Sequence, residues 1–131
     1  MSAPARFRLA VERRDLEAAA ELFAEDIVFH SPVTFHPFVG RDTVTRLLGE
    51  VVQVFEDFRY TDELVTEGAH ALIFRASVAD KEIEGVDLLR MNEQGKIADF
   101  TVMLRPLSAL VPFAQAMGER AVAAGLQTTR L

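Results

Sequence analysis

Apolar positions along this chain switch period several times, and each switch marks a predicted element. From about Ala5 to Glu25 the spacing is helical, with a break near Arg14-Asp15. Asp15 suits an N-cap, Glu17 sits near the positive end of the helix dipole, and Leu16, Ala19, Ala20 and Phe23 make an i, i+3, i+4, i+7 stripe. The run Ile27-Val28-Phe29-His30-Ser31 is β-prone and stops at Pro32. Residues 33–39 read as a loop with Phe35, His36 and Phe38 as anchors. Gly40-Arg41-Asp42 opens a second helical block, where Val44, Leu47, Leu48, Val51 and Phe55 share one face of a helix ending near Asp57. Four strand-like stretches follow, at about 58–67, 70–79, 82–92 and 96–105. They are separated by Glu67-Gly68, by Asp80-Lys81 and by Asn92-Glu93-Gln94-Gly95, where Gly95 suits a left-handed position. Pro106 is placed for the first turn of a last helix reaching about Ala124, bent or interrupted at Pro112.

Helix, helix, strand, helix, four-strand meander, helix is an α+β order, and 131 residues make one domain spanning 1–131. Short hairpins make the long strands antiparallel neighbours. The expected architecture is a cone-shaped α+β barrel: a strongly curved mixed or antiparallel sheet wrapped by three to four helices around a cavity. Cavities of this kind are default ligand sites.

Strand parity sorts the residues that could work there. Asp87 shares a face with Leu89 and Met91, while Leu72, Phe74, Ala76 and Val78, and likewise Phe100, Val102 and Leu104, form apolar rows on their strands. With those rows turned inward, Asp87 is a carboxyl among Phe, Leu and Met. Desolvation then favours its neutral form, a hydrogen-bond donor or general acid; the alternative is an acid satisfied by a backbone amide or neighbouring hydroxyl. The expected lining is Phe7, Phe29, Ser31, Phe38, Leu48, Phe55, Phe74, Leu89, Phe100, Val102 and Leu104. His30 and His36 frame the mouth as candidate bases. Parity sets His30 opposite Phe29 and Ser31, unless a bulge before Pro32 reverses it. His70 follows a turn and reads as solvated.

Composition narrows the classes. Fourteen basic against 20 acidic residues give a net charge of −6, without the basic stripe that nucleic acid or an anionic membrane would need. No cysteine is present, so disulfides and thiolate metal sites are excluded. The two histidines lack a third ligand at metal spacing. No cofactor is implied, since Gly85 and Gly95 are not in a strand-to-helix phosphate turn and Ser31 lacks a nucleophile-elbow context. No apolar run approaches the roughly 20 residues that span a bilayer, so the default location is the cytoplasm. Ten phenylalanines with one tyrosine and no tryptophan imply a filled core or an apolar cavity. Arg59, Arg75 and Arg105 fall on the outer sheet face with Thr101, Met103 and Val65, a mixture suited to a homodimer through the open sheet.

Five stretches carry a resemblance: Asp15-Leu16-Glu17-Ala18, Glu25 through Pro32, Val39-Gly40-Arg41-Asp42, Gly85 through Ile97, and Val102 through Leu107. In order and spacing they resemble the NTF2-like superfamily, nearest its SnoaL-like branch and close to ketosteroid isomerases and limonene-epoxide hydrolases. The resemblance puts Asp87 where the isomerases keep a protonated aspartate in their oxyanion hole. Ser31 stands at the isomerase's base position and Phe7 at its tyrosine. Gly85 and Val102 stand where the epoxide hydrolases carry an arginine and a second aspartate. The fold hosts isomerases, cyclases, hydrolases and binding subunits. Three readings are compatible with it: a small apolar or amphipathic molecule bound with acid–base chemistry at Asp87, a non-catalytic binder using the same pocket, or a dimeric module with a filled core.

Overall fold

The structure, a computed structural model, describes residues 1–125. Helices α1 (Ala3–Glu12) and α2 (Leu16–Glu21) are divided at the expected break, and α2 ends four residues before Glu25. Ser2 Oγ accepts from the Ala5 amide at 3.3 Å and Asp15 Oδ1 from the Ala18 amide at 3.1 Å, so each helix is capped. Arg14 turns the chain between them at φ 56°. Strand β1 (Phe23–His30) starts four residues before its β-prone run. Its register against β6 slips between Phe23 and Val28, an irregular stretch that polar Glu25 and Asp26 conceal from alternation. Strand β2 (Phe38–Val39) pairs with β1, so the 33–39 loop ends in a short bridge. Phe38 is half-buried there, but Phe35 is 98% exposed and anchors nothing.

Helix α3 (Arg41–Val54) is tied to β1 at its first turn, because Arg41 donates from Nε and Nη2 to the Phe23 carbonyl at 3.1 and 2.8 Å. The strands β3 (Glu56–Thr66), β4 (Ala69–Val78), β5 (Lys81–Met91) and β6 (Ile97–Arg105) form the expected antiparallel meander. Helix α4 (Leu107–Ala123) starts after Pro106 and continues through Pro112 without a break. No helix among the described residues is long and apolar enough to cross a membrane.

The six strands lie in the order β2-β1-β6-β5-β4-β3, with β1 and β6 parallel and the other pairs antiparallel. The sheet is curved and does not close, so the expected barrel is an open cone with β2 and β3 at its edges. The apolar rows read from β4 and β5 are buried as expected: Leu72, Phe74, Ala76, Val78 and Leu89.

One register departure matters more than the rest. From the Glu67-Gly68 hairpin, simple alternation pairs Thr61 with Phe74 and Tyr60 with Arg75. The observed pairs are Asp62 with Ile73 but Tyr60 with Phe74, leaving Thr61 as an extra residue. Alternation carried across this bulge from Arg59 therefore fails. Val65, expected on the outer surface, pairs with His70 on the helix side, and Leu64 takes the outer position opposite Ala71.

At Gly85 the inner rows of β4 and β6 crowd the β5 backbone. A Cβ there would overlap Phe74 Cζ and lie 2.6 Å from Leu104 Cδ2 and 2.8 Å from the Met103 carbonyl oxygen. Gly85→Ala is therefore expected to lower the unfolding free energy by about 1–3 kcal/mol, read as a lower urea midpoint. An unchanged midpoint would contradict this packing.

Candidate ligand pocket

Between the inner sheet face and the helices lies a chamber with about 60 Å³ open to the centre of a water-sized sphere. Of the expected lining, Phe7, Phe29, Leu48, Phe55, Phe74, Phe100 and Val102 border it together with Asp87. Ser31 and Phe38 border a neighbouring groove instead, Leu89 is wholly buried, and Leu104 borders a shallow hollow beyond Val102. Phe58, Phe113 and Tyr60 line the chamber without having been singled out in the sequence.

Two aromatic groups shape it. Phe100 meets Phe7 and Phe29 edge-on at 5.3 and 5.1 Å, while Phe58 stacks on Phe74 at 4.8 Å and Phe55 on Phe113 at 5.2 Å. Rings in these geometries add attraction beyond the area they bury.

Into this lining β5 projects Asp87, 6% exposed, and β3 projects Tyr60, 8% exposed. The Tyr60 hydroxyl donates to Asp87 Oδ2 at 3.0 Å, and it is that carboxyl's one side-chain partner among the described residues. Burial pushes Asp87 up from an ordinary 3.8 to about 7, and the Tyr60 hydrogen bond pulls the other way. Burial, then the Asp87 charge, holds the Tyr60 hydroxyl well above its usual range, so it stays a donor. The pair can therefore offer a neutral acid or a carboxylate near neutral pH.

The bulge at Thr61 sets Tyr60 and Glu63, three residues apart, on one face. Arg8 on α1 lies 5.6 Å from the Tyr60 ring centroid and donates to Glu63 Oε1 at 3.0 Å. Glu63 Oε2 is 3.9 Å from His70 Nε2. His70, expected in solvent, is buried on the helix side, and its Nδ1 is buried without a hydrogen-bond partner among the described residues. Its place beside the turn suggests exposure, but pairing with both Val65 and Leu89 covers it. Plain alternation sets Tyr60 and Glu63 on opposite faces, and only the inserted residue brings them together, so the cluster escapes sequence reading.

Neither candidate base joins Asp87. No bulge reverses the end of β1: His30 stays opposite Phe29, on the outer face, with Nε2 3.0 Å from Asp99 Oδ2. His36 is exposed in the loop. Among the described residues Arg14 is the single charged group besides Asp87 in the chamber lining, at its exposed rim.

The sequence pattern of the SnoaL-like domain matches residues 5–100. The chain belongs to the SnoaL-like family. No curated protein matches it. Among solved structures, a steroid delta-isomerase from Pseudomonas aeruginosa is 35% identical, with a TM-score of 0.88 over 93% of this chain and 90% of that one. A conserved bacterial protein of cystatin-like fold from Silicibacter pomeroyi is also 35% identical, with a TM-score of 0.89 over 94% and 87%. An NTF2-like protein from Mesorhizobium loti, 22% identical with a TM-score of 0.69 over 79% and 88%, shares the fold alone.

In this SnoaL-like chamber Asp87 makes stability depend on pH with a definite sign. The folded carboxyl releases its proton near 7 and the unfolded one near 3.8, so the folded state binds more protons in between. The stability due to the neutral acid is complete below 3.8 and is lost as pH rises through 7. Asp87→Asn lacks this loss, so between pH 4 and pH 8 the wild type should fall relative to the variant by at most about 4 kcal/mol in urea unfolding. Parallel pH profiles would mean that Asp87 ionises normally. Tyr60→Phe, which removes a bond favouring the carboxylate, should move the Asp87 titration seen by carbon-13 NMR to higher pH.

Proposed function

We propose that the protein binds a small, mostly apolar molecule with one carbonyl or hydroxyl oxygen, that oxygen sitting at Asp87. The observation that carries this reading is a buried Asp87–Tyr60 pair set in an otherwise phenylalanine-rich lining. Apolar walls supply affinity through burial, and one polar anchor sets orientation. Neutral Asp87 donates the hydrogen bond to the ligand oxygen, and Tyr60 holds the carboxyl in place.

A second reading, proton-transfer isomerisation, is favoured by the 35% identity to a steroid delta-isomerase. The chamber lining holds no other carboxylate and no histidine among the described residues. Asp87 would then serve alone: its carboxylate takes a proton from the carbon beside a carbonyl and returns it to another carbon, shifting a double bond with no net proton change.

One experiment separates the two. Affinity for a saturated ketone should fall above pH 7 and reach tenfold per pH unit, and Asp87→Asn, whose amide still donates, should bind without that dependence. If wild-type affinity ignores pH, the anchor reading is wrong. Turnover of a β,γ-unsaturated ketone, followed by the ultraviolet absorbance of the conjugated product, should appear only under the second reading. Asp87→Asn would then reduce it by about 10²–10⁴-fold.

The same protein is proposed to pair through its outer sheet face. Met103, Leu64 and Val39 stand 52%, 55% and 59% exposed there, bordered by Arg59, Arg75, Arg105 and Glu84. A mixed apolar and arginine surface of this kind suits a two-fold contact. Sedimentation should give twice the chain mass, and Met103→Glu should give the monomer; a wild-type monomer at micromolar concentration overturns the pairing.

A further inference from the structure

A second concavity lies beside the Asp87 chamber, between the loop after β1, the middle of α3 and the later turns of α4. About 330 Å³ of it is open to the centre of a water-sized sphere, against 60 Å³ in the chamber. Its lining among the described residues carries no charged side chain and includes Val33, Phe38, Leu47 and Met117. The two spaces share a wall of four apolar side chains: Phe29, Pro32, Val51 and Phe113.

The acid is therefore in the smaller space and the room is in the larger one. A ligand anchored at Asp87 whose body outgrows the chamber must extend past the shared wall into the groove. Two features of α4 bear on that wall and groove. Pro112, next to Phe113, has no amide hydrogen to give the Ser108 carbonyl, which removes one helix bond at the turn carrying the Phe113 ring. Gly118 faces the groove inside the helix, and an added Cβ there would meet nothing within 4 Å. Glycine is a poor helix-interior residue, so the empty space it leaves is not explained by helix formation.

We propose that the groove holds the extended apolar body of the ligand whose oxygen sits at Asp87. The ligand class is then an elongated amphipathic molecule, such as a medium-chain carbonyl compound, crossing between the chambers at Phe113. This proposal rests on the reading of Asp87 as the polar anchor.

The test is a series of 2-alkanones from five to eleven carbons, titrated calorimetrically against wild type, Gly118→Leu and Asp87→Asn. In wild type the affinity is expected to rise about fourfold per added methylene. In Gly118→Leu, whose new side chain fills the groove, the gain should drop below twofold per methylene. The NMR methyl signal of Met117 in the unmodified protein should shift with 2-undecanone and not with 2-pentanone, a readout that needs no variant. A wild-type series flat beyond 2-pentanone, or a silent Met117 methyl, overturns the groove while leaving the Asp87 anchor intact. A rising series with no pH dependence, and with none lost in Asp87→Asn, overturns the shared ligand, because the body would then bind without the head.

Discussion

A single inserted residue in an edge strand decides what the interior of this protein can do. Thr61 stands unpaired in the β3–β4 ladder, and its bulge carries Tyr60 from the outer face to the inner one. Without that shift Tyr60 would lie opposite Arg75, and Asp87 would sit in the phenylalanine lining with no partner. A buried, unpartnered carboxyl costs more than a hydrogen-bonded one, so the bulge makes the acid tolerable. The same shift puts Tyr60 on the face that already carries Glu63, which reaches Arg8 and His70, so the Asp87–Tyr60 pair and the charged cluster lie side by side. Bulges re-aim side chains in this way near functional sites.

The hydrogen bond does not remove the effect of burial on Asp87. It opposes that effect, and the carboxyl settles near 7, between a solvated aspartate and an isolated acid in a dry core. A carboxyl there changes charge within the range where proteins work, with little driving force needed to give or take a proton. The price is a stability that declines as pH rises. Two aromatic groups, one around Phe100 and one around Phe74, offset it by packing the rest of the interior densely.

Much of this was legible in the sequence. The helix stripes and strand alternation gave the element order, the meander and the inward rows, and parity alone placed Asp87 among apolar residues. What failed did so where alternation is broken or where a neighbouring chain segment decides exposure. The early part of β1 carries Glu25 and Asp26 through an irregular register, so it does not look like a strand. The Thr61 bulge misplaced Val65, because alternation carried from Arg59 does not survive the inserted residue. His70 sits beside a turn, and only its pairing with strands on both sides buries it. For His30 parity was right and the suspected reversal does not occur, which leaves it bonded to Asp99 outside the chamber.

The absence of a second acid–base group from the described lining bears on how selectivity could arise. With one polar pair, oxygen-bearing ligands differ little in their hydrogen bonds, so discrimination falls to shape and apolar area. Gly85 lets Phe74 and Leu104 close over β5, while Gly118 leaves the α4 side open. One glycine permits contact and the other permits space, so the chamber is tight on its sheet side and the room lies in the groove beside α4. Selection by one methylene is worth little in an apolar site, whereas a missing hydrogen-bond partner is costly. A protein built this way would insist on the oxygen at Asp87 and be lenient about the length and branching of the carbon chain attached to it.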